Sequence, residues 1–206
     1  MRKPEQQQKQ LISNIDKFFC DCAGADIETL SQLGSQSITE HPTFWFYVPD
    51  QPNPTTPVDF MLTDVQGKQI YKQTFQLMGT PGVIGIALPG NTPALEVEKT
   101  YNWNFSFNCN STNTREIVSV NGRIKRVQPN SQVVSQLQES TGRDRIIIYA
   151  ENGFWYDTLT GLIELHRQNP QDEDLKSDWE DLLKSNEVKL PEIAREPIVS
   201  CCKSEE

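Results

Sequence analysis

"TYNWNFSFNCN", residues 100–110, is the stretch that decides the fold. Tyr101, Trp103, Phe105, Phe107 and Cys109 alternate with Asn102, Asn104, Ser106 and Asn108. Successive side chains of a β-strand point to opposite faces. One face of this strand is therefore wholly apolar and the other wholly polar. An antiparallel sheet with one face on a core and one face in water asks for that pattern. The tract just before it, "LEVEKTY" (95–101), adds a second cue. A leucine in a loop, followed by a tyrosine that opens a strand, predicts a tyrosine corner, with Tyr101 bonded back to the loop backbone.

Other strands are legible on both sides of this one. "TFWFYV" (43–48) is a continuous apolar run bracketed by Pro42 and Pro49, as in a central strand buried on both faces. "VDFMLTD" (58–64) and "QIYKQTFQL" (69–77) flank "VQGK" and predict a hairpin. The second arm puts Tyr71, Phe75 and Leu77 on one face. "GVIGIAL" (82–88) places Ile84, Ile86 and Leu88 together. "EIVSVNGRIKRV" (116–127) closes the series. Its Asn121-Gly122 is read as a bulge or a close contact within one strand, because a hairpin there would have short arms. These short antiparallel strands predict an immunoglobulin-like β-sandwich over residues 42–127.

The period then changes from 2 to about 3.6. Residues 128–206 predict a helical unit packed on or beside the sandwich. "NSQVVSQLQES" starts at Asn130, a good N-cap. "RDRIIIYAEN" ends at Gly153, a C-terminal cap glycine. "FWYDTLTGLIELHRQ" carries Trp155, Leu159, Leu162, Ile163 and His166 along one stripe. "QDEDLKSDWEDLLKS" puts Leu175, Trp179, Leu182 and Leu183 on one face. Residues 1–41 read as a polar leader, partly ordered. The fold class is thus α+β.

The 206-residue chain is 36% hydrophobic and 23% charged, with a net charge of -9. Such a chain repels phosphate backbones and anionic lipid, which argues against nucleic acid as partner. No apolar run approaches the ~20 residues of a membrane span. The start, "MRKPEQQQKQ", has no apolar segment and does not read as a signal peptide. The small basic patch of Arg115 and "RIKRV" is expected to meet the acidic fourth helix, with an acidic partner as the alternative.

The cysteines are Cys20, Cys22, Cys109, Cys201 and Cys202. Free thiols are the first reading. A disulfide from the amino-terminal pair to Cys109 or to the tail is the second, and a soft-metal site the third. Structural zinc spaces its ligands as C-x(2–4)-C, which neither pair does.

Chemistry is scarce. His166 lies nine residues from Asp157, so the two sit far apart around a helix and cannot pair directly. His41 has only Glu40 near it at ligand spacing. No nucleophile elbow, phosphate loop or dinucleotide fingerprint occurs, and no motif asks for a cofactor or metal. "GTPGVIG" (79–85) leads into a strand and not a helix, so it cannot cradle a phosphate. Tyr156, Asp157 and His166 remain as binding candidates without a packing role. Asn102 and Asn104 remain as candidates on the wet face of the sheet.

Two resemblances follow. With Pro170 as the closing proline, residues 137–170 are similar to one tetratricopeptide repeat. Its tyrosine falls on Tyr149, its turn glycine on Gly153, its aromatic on Trp155 and its large apolar residue on Leu162. Tyr149 and Trp155 would then face one helix–helix seam. Thr158, Ile146 and Leu165 depart from the pattern. One hairpin implies packing, since a peptide groove takes about three repeats. Separately, "PTFWFYVP", "GTPGVIGIALP", "YNWNFSFNC", "YAENGFWYD", "NPQD" and "EPIVSCC" resemble the mostly cyanobacterial family called domain of unknown function 928, over residues ~42–202. The family brings no activity. It implies export, often behind a signal peptide, and this amino terminus departs from that. Export would favour a disulfide.

The expected function is a non-enzymatic binding or assembly module with an unidentified protein partner, in an envelope setting if export holds. The alternative is carbohydrate or envelope-polymer binding through the sandwich, and an enzyme of unknown type is third. An exposed row containing Trp45 or Trp103 would favour carbohydrate. An exposed apolar patch on the helices would favour a protein partner.

Overall fold

The computed structural model describes residues 28–29, 36–48, 57–77, 81–108, 117–185, 188–200 and 203–204. All five cysteines and Arg115 lie outside the described residues. The strands are β1 (Glu28–Thr29), β2 (Gln36–Ser37), β3 (Thr43–Val48), β4 (Pro57–Asp64), β5 (Gln69–Gln76), β6 (Gly82–Ala87), β7 (Thr100–Asn108), β8 (Ile117–Arg126) and β9 (Lys203–Ser204). The helices are α1 (Ser131–Glu139), α2 (Gly142–Glu151), α3 (Trp155–Gln168) and α4 (Glu173–Lys184). The protein is α+β, with two sheets and four helices among the described residues.

The sheets are ordered β1-β3-β6 and β2-β8-β7-β4-β5-β9. They face each other across one aromatic core in a sandwich-like arrangement. From the smaller sheet come Phe44, Phe46, Ile84 and Ile86. From the larger come Phe60, Leu62, Trp103, Phe105 and Ile124. Phe46 stacks on Phe105 with centroids 4.4 Å apart, and Phe44 meets Phe60 at 4.8 Å. Tyr101, Trp103, Phe105 and Phe107 are all buried, as their alternation requires. The Glu96 N–H donates to the Tyr101 hydroxyl at 2.9 Å, and Leu95 is buried beside it. That is the hydrogen bond expected of a tyrosine corner.

β4 and β5 form the expected hairpin, with a register shift between Leu62 and Thr63. Along β8 the register against β7 is unbroken, so Asn121-Gly122 is a close contact and not a bulge. Trp103 pairs with Gly122, and a Cβ at position 122 would overlap the indole ring. Two pairings depart from the antiparallel expectation: Gln36 and Ser37 of β2 run parallel to Lys125 and Arg126, and Val83 makes an isolated parallel bridge with Ile198. β2 leads onward into the other sheet and not back through a hairpin, so nothing forces it to run antiparallel.

β3 is buried on both faces. Phe44 and Phe46 enter the core between the sheets. Trp45, on the opposite face, joins a second core with Leu159, Leu162, Ile163, Trp179 and Leu183 of α3 and α4. Trp45 Nε1–H donates to Thr160 Oγ1 at 3.0 Å, and the Arg167 guanidinium lies 5.4 Å above its ring. The helices begin and end where the sequence places them. Asn130 caps α1 by accepting from Val133 N at 3.0 Å. Gly153 turns between α2 and α3 at φ +71°.

Two packing expectations are corrected. Tyr149 packs with the cluster of Val133, Leu137 and Phe154 against α1, while Trp155 packs against the two larger cores. The pair does not share one seam, because Phe154 intervenes as the ring that enters the α1 cluster. The basic residues of β8 do not meet α4. Lys125 pairs with Glu98 at 2.5 Å and Arg126 with Glu40 at 2.9 Å, since the strand end lies beside the 95–98 turn. On α4, Asp178 is held by Arg143 through two bonds of 2.6 and 2.7 Å, Glu180 by Lys184 at 2.5 Å, and Glu173 by Lys176 at 3.6 Å.

Candidate functional site

α3 buries its apolar stripe and leaves a polar one. Asp157, Thr160, Glu164 and Gln168 follow one another at three- and four-residue steps, with Gly161 four residues after Asp157, so they share a face of the helix. This face forms one wall of a cleft of about 290 Å³. α2 supplies the second wall with Gly142, Arg145, Ile146 and Tyr149. The segment entering β3 supplies the third with Ser37, Thr39, His41, Pro42 and Thr43. Gly161 lets the helices close up: a Cβ there would stand 3.0 Å from Ile146 Cγ1.

Asp157 closes the deep end and is 7% exposed. Its carboxylate accepts from Ile38 N at 3.1 Å and from Thr39 Oγ1 at 2.5 Å. These bonds tie residues 37–39 to a helix more than a hundred positions away in sequence. Burial raises the Asp157 pKa above the ordinary carboxylate value, and the hydrogen bonds from Thr39, Ile38 and Ser37 oppose that rise only in part.

Tyr156 sits beside it and locks the helix to the larger sheet. Its hydroxyl accepts from Trp103 Nε1 at 2.9 Å and donates to the Arg123 carbonyl at 2.9 Å. Burial pushes the phenol far above its usual pKa. It is a neutral fastening and not a base.

The mouth of the cleft is charged. Arg145 and Glu164 are both exposed, and neither forms an ion pair among the described residues. The other helix-borne cation on that side, Arg143, is taken by Asp178. The floor between the charges is apolar, with Ile146, Leu165 and Pro42. His41 reaches the cleft edge with Nε2 3.0 Å from the Thr92 carbonyl.

The site candidates thus separate. Tyr156 and Asp157 come together in the cleft, while His166 is half-buried and does not line it. Asn102 and Asn104 lie elsewhere, on the outer face of the larger sheet, in an open channel of about 630 Å³ with Thr63, Asn121 and Arg123. Asn104 donates to Asn121 Oδ1 at 2.5 Å. Among the described residues the tryptophan lining it, Trp103, is 1% exposed, and Trp45, away from it, is 2% exposed, so neither offers a stacking platform. Sequence reasoning missed His41, Arg145 and Glu164 as cleft residues. The three- and four-residue spacing of polar positions on α3 was the one available signal for Glu164.

Among the described residues no three His, Cys, Asp or Glu side chains gather as a metal site, and no helix is long and apolar enough to cross a membrane. The exposed large apolar side chains among the described residues, Val65, Val97, Ile117 and Ile147, are scattered, and of these Ile147 alone is on a helix.

No curated protein and no solved structure matches the chain. The family described as Domain of Unknown Function (DUF928) matches residues 6–198, a span that takes in both cores, all four helices and the whole cleft, and the chain belongs to that family.

Proposed function

We propose that this protein is a non-enzymatic binding or assembly module, and that it takes up a segment of a partner protein in the cleft between α2, α3 and residues 37–43. The observation that carries this reading is the charged mouth: Arg145 and Glu164 flank an apolar floor and have no ion-pair partner among the described residues. Two of the titratable groups deeper inside, Asp157 and Tyr156, are engaged in holding the fold. The apolar helix faces turn inward, so the partner is recognised by the cleft and not by a broad apolar patch.

We read the sheets as an immunoglobulin-like sandwich, supported by the Tyr101 corner, and α2–α3 as one tetratricopeptide-like hairpin, supported by the turn at Gly153. An envelope setting goes with this assignment. Carbohydrate binding on the asparagine-bearing face ranks second, since that channel offers amides without an exposed aromatic ring.

A photo-crosslinking amino acid at Gln168, an exposed position at the cleft end, tests the proposal in the protein's own cells. A discrete protein adduct from position 168, absent when the same group replaces Val65, is the expected result. No adduct, or the same adducts from both positions, overturns it.

A further inference from the structure

The shape of the cleft bears on what enters it. Its α3 wall runs from Asp157 to Gln168, a length of ~16 Å at 1.5 Å per residue. A compact small molecule would leave most of the length empty. An extended main chain, at ~3.3 Å per residue, covers that length in about five residues.

The charges add chemistry to the shape. Arg145 lies in the first turns of α2 and Glu164 near the end of α3, on facing walls, yet they do not bridge each other within 4.0 Å. An occupant that offers a carboxylate to Arg145 and a cation to Glu164 completes both. A guanidinium takes a carboxylate through two parallel bonds, the stronger of its modes. The amino end of α2 favours the carboxylate on the same side. Gly142 lines the cleft there, and the N-cap Thr141 makes no side-chain capping bond.

We infer that the occupant is an extended polypeptide segment of about five residues, carrying an acid and a base on one face. This rests on the reading of the cleft as a protein-binding site.

Blocked, labelled pentapeptides titrated into the full chain test it. The probes are Ala-Asp-Ala-Lys-Ala, its neutral counterpart Ala-Asn-Ala-Gln-Ala, and Ala-Lys-Ala-Lys-Ala. The acid–base peptide is expected to bind the native protein about tenfold more tightly than the neutral one, which is the effect of roughly one good ion pair. That advantage shrinks with added salt. Arg145→Glu turns the mouth doubly acidic, so preference moves to the two-lysine peptide.

Arg145 is exposed and has no ion-pair partner among the described residues, so its replacement leaves the fold intact, which a circular dichroism spectrum checks. Equal binding of charged and neutral peptides, no saturable binding below about 1 mM, or a preference unmoved by Arg145→Glu overturns the inference. So does equally tight binding of free lysine or aspartate. If position 168 still crosslinks a protein while the peptides fail, the protein-binding reading survives and only this inference falls.

Discussion

Asp157 shows how a residue that looks chemical in sequence becomes structural in place. It was singled out with Tyr156 and His166 because helix packing did not require it. Its use is to hold the backbone of residues 37–39, which no local pattern reveals, since the bonded partners are 118 and 119 positions away. Among the described residues the carboxylate forms no ion pair. The titratable groups sharing its cleft are His41, Arg145, Tyr149, Tyr156 and Glu164, and desolvation leads the causes of its raised pKa. The sign follows. A folded state that binds the proton more tightly than the unfolded chain loses stability as pH rises from the ordinary carboxylate range through the raised value. Asp157→Asn removes that proton while keeping an acceptor for Ile38 N, and the Thr39 hydroxyl can turn to accept from the new amide. Urea titrations between about pH 4 and pH 8 are expected to show a flatter stability curve for the variant. An unchanged slope would mean the carboxylate is not the group responsible.

At the scale of elements, β7 was the most legible part of the chain. Strict alternation declared which face is buried, and the Leu95–Tyr101 spacing declared the corner bond. Alternation cannot declare which residue stands across from which. The register pairs Trp103 with Gly122, and the indole lies where a side chain at 122 would be. The ring cannot simply swing aside. Its Nε1–H is bonded to Tyr156, whose hydroxyl is bonded to β8, so displacement costs a buried hydrogen bond and disturbs the one linked to it. Gly122→Ala is therefore expected to destabilise the fold by about 1–3 kcal/mol, the ordinary cost of overpacking a filled core. The readout is the urea midpoint at constant m-value. A shift within about 0.5 kcal/mol of the native protein, the usual range of a surface change, would show that the ring has room to move.

At the scale of the whole molecule, β3 is the strand that makes the two halves interdependent. Its unbroken apolar run announced burial on both faces. What covers the second face was not legible, because the covering residues belong to helices more than a hundred positions downstream. The cleft was hidden for the same reason. Its three walls come from residues 37–43, 142–149 and 156–168, and only the last of these carried a readable stripe. The two cores are continuous through one strand, with Phe44 and Phe46 on one side and Trp45 on the other. Tyr156 and Trp155 add links from α3 to the core between the sheets. Removing the helices would expose Trp45 and Val83 together, and removing the sandwich would expose Leu159, Leu162 and Ile163. Neither half keeps a closed core, so the protein is expected to unfold in one step. Far-ultraviolet dichroism, dominated by the helices, and tryptophan fluorescence, which reports Trp103 inside the sandwich as well as Trp45 and Trp179 in the second core, should trace the same urea transition. Trp45→Ala should move both midpoints together, by about 3–5 kcal/mol for a large buried ring. Two separated transitions, or a loss confined to the helical signal, would show that β3 does not couple the cores.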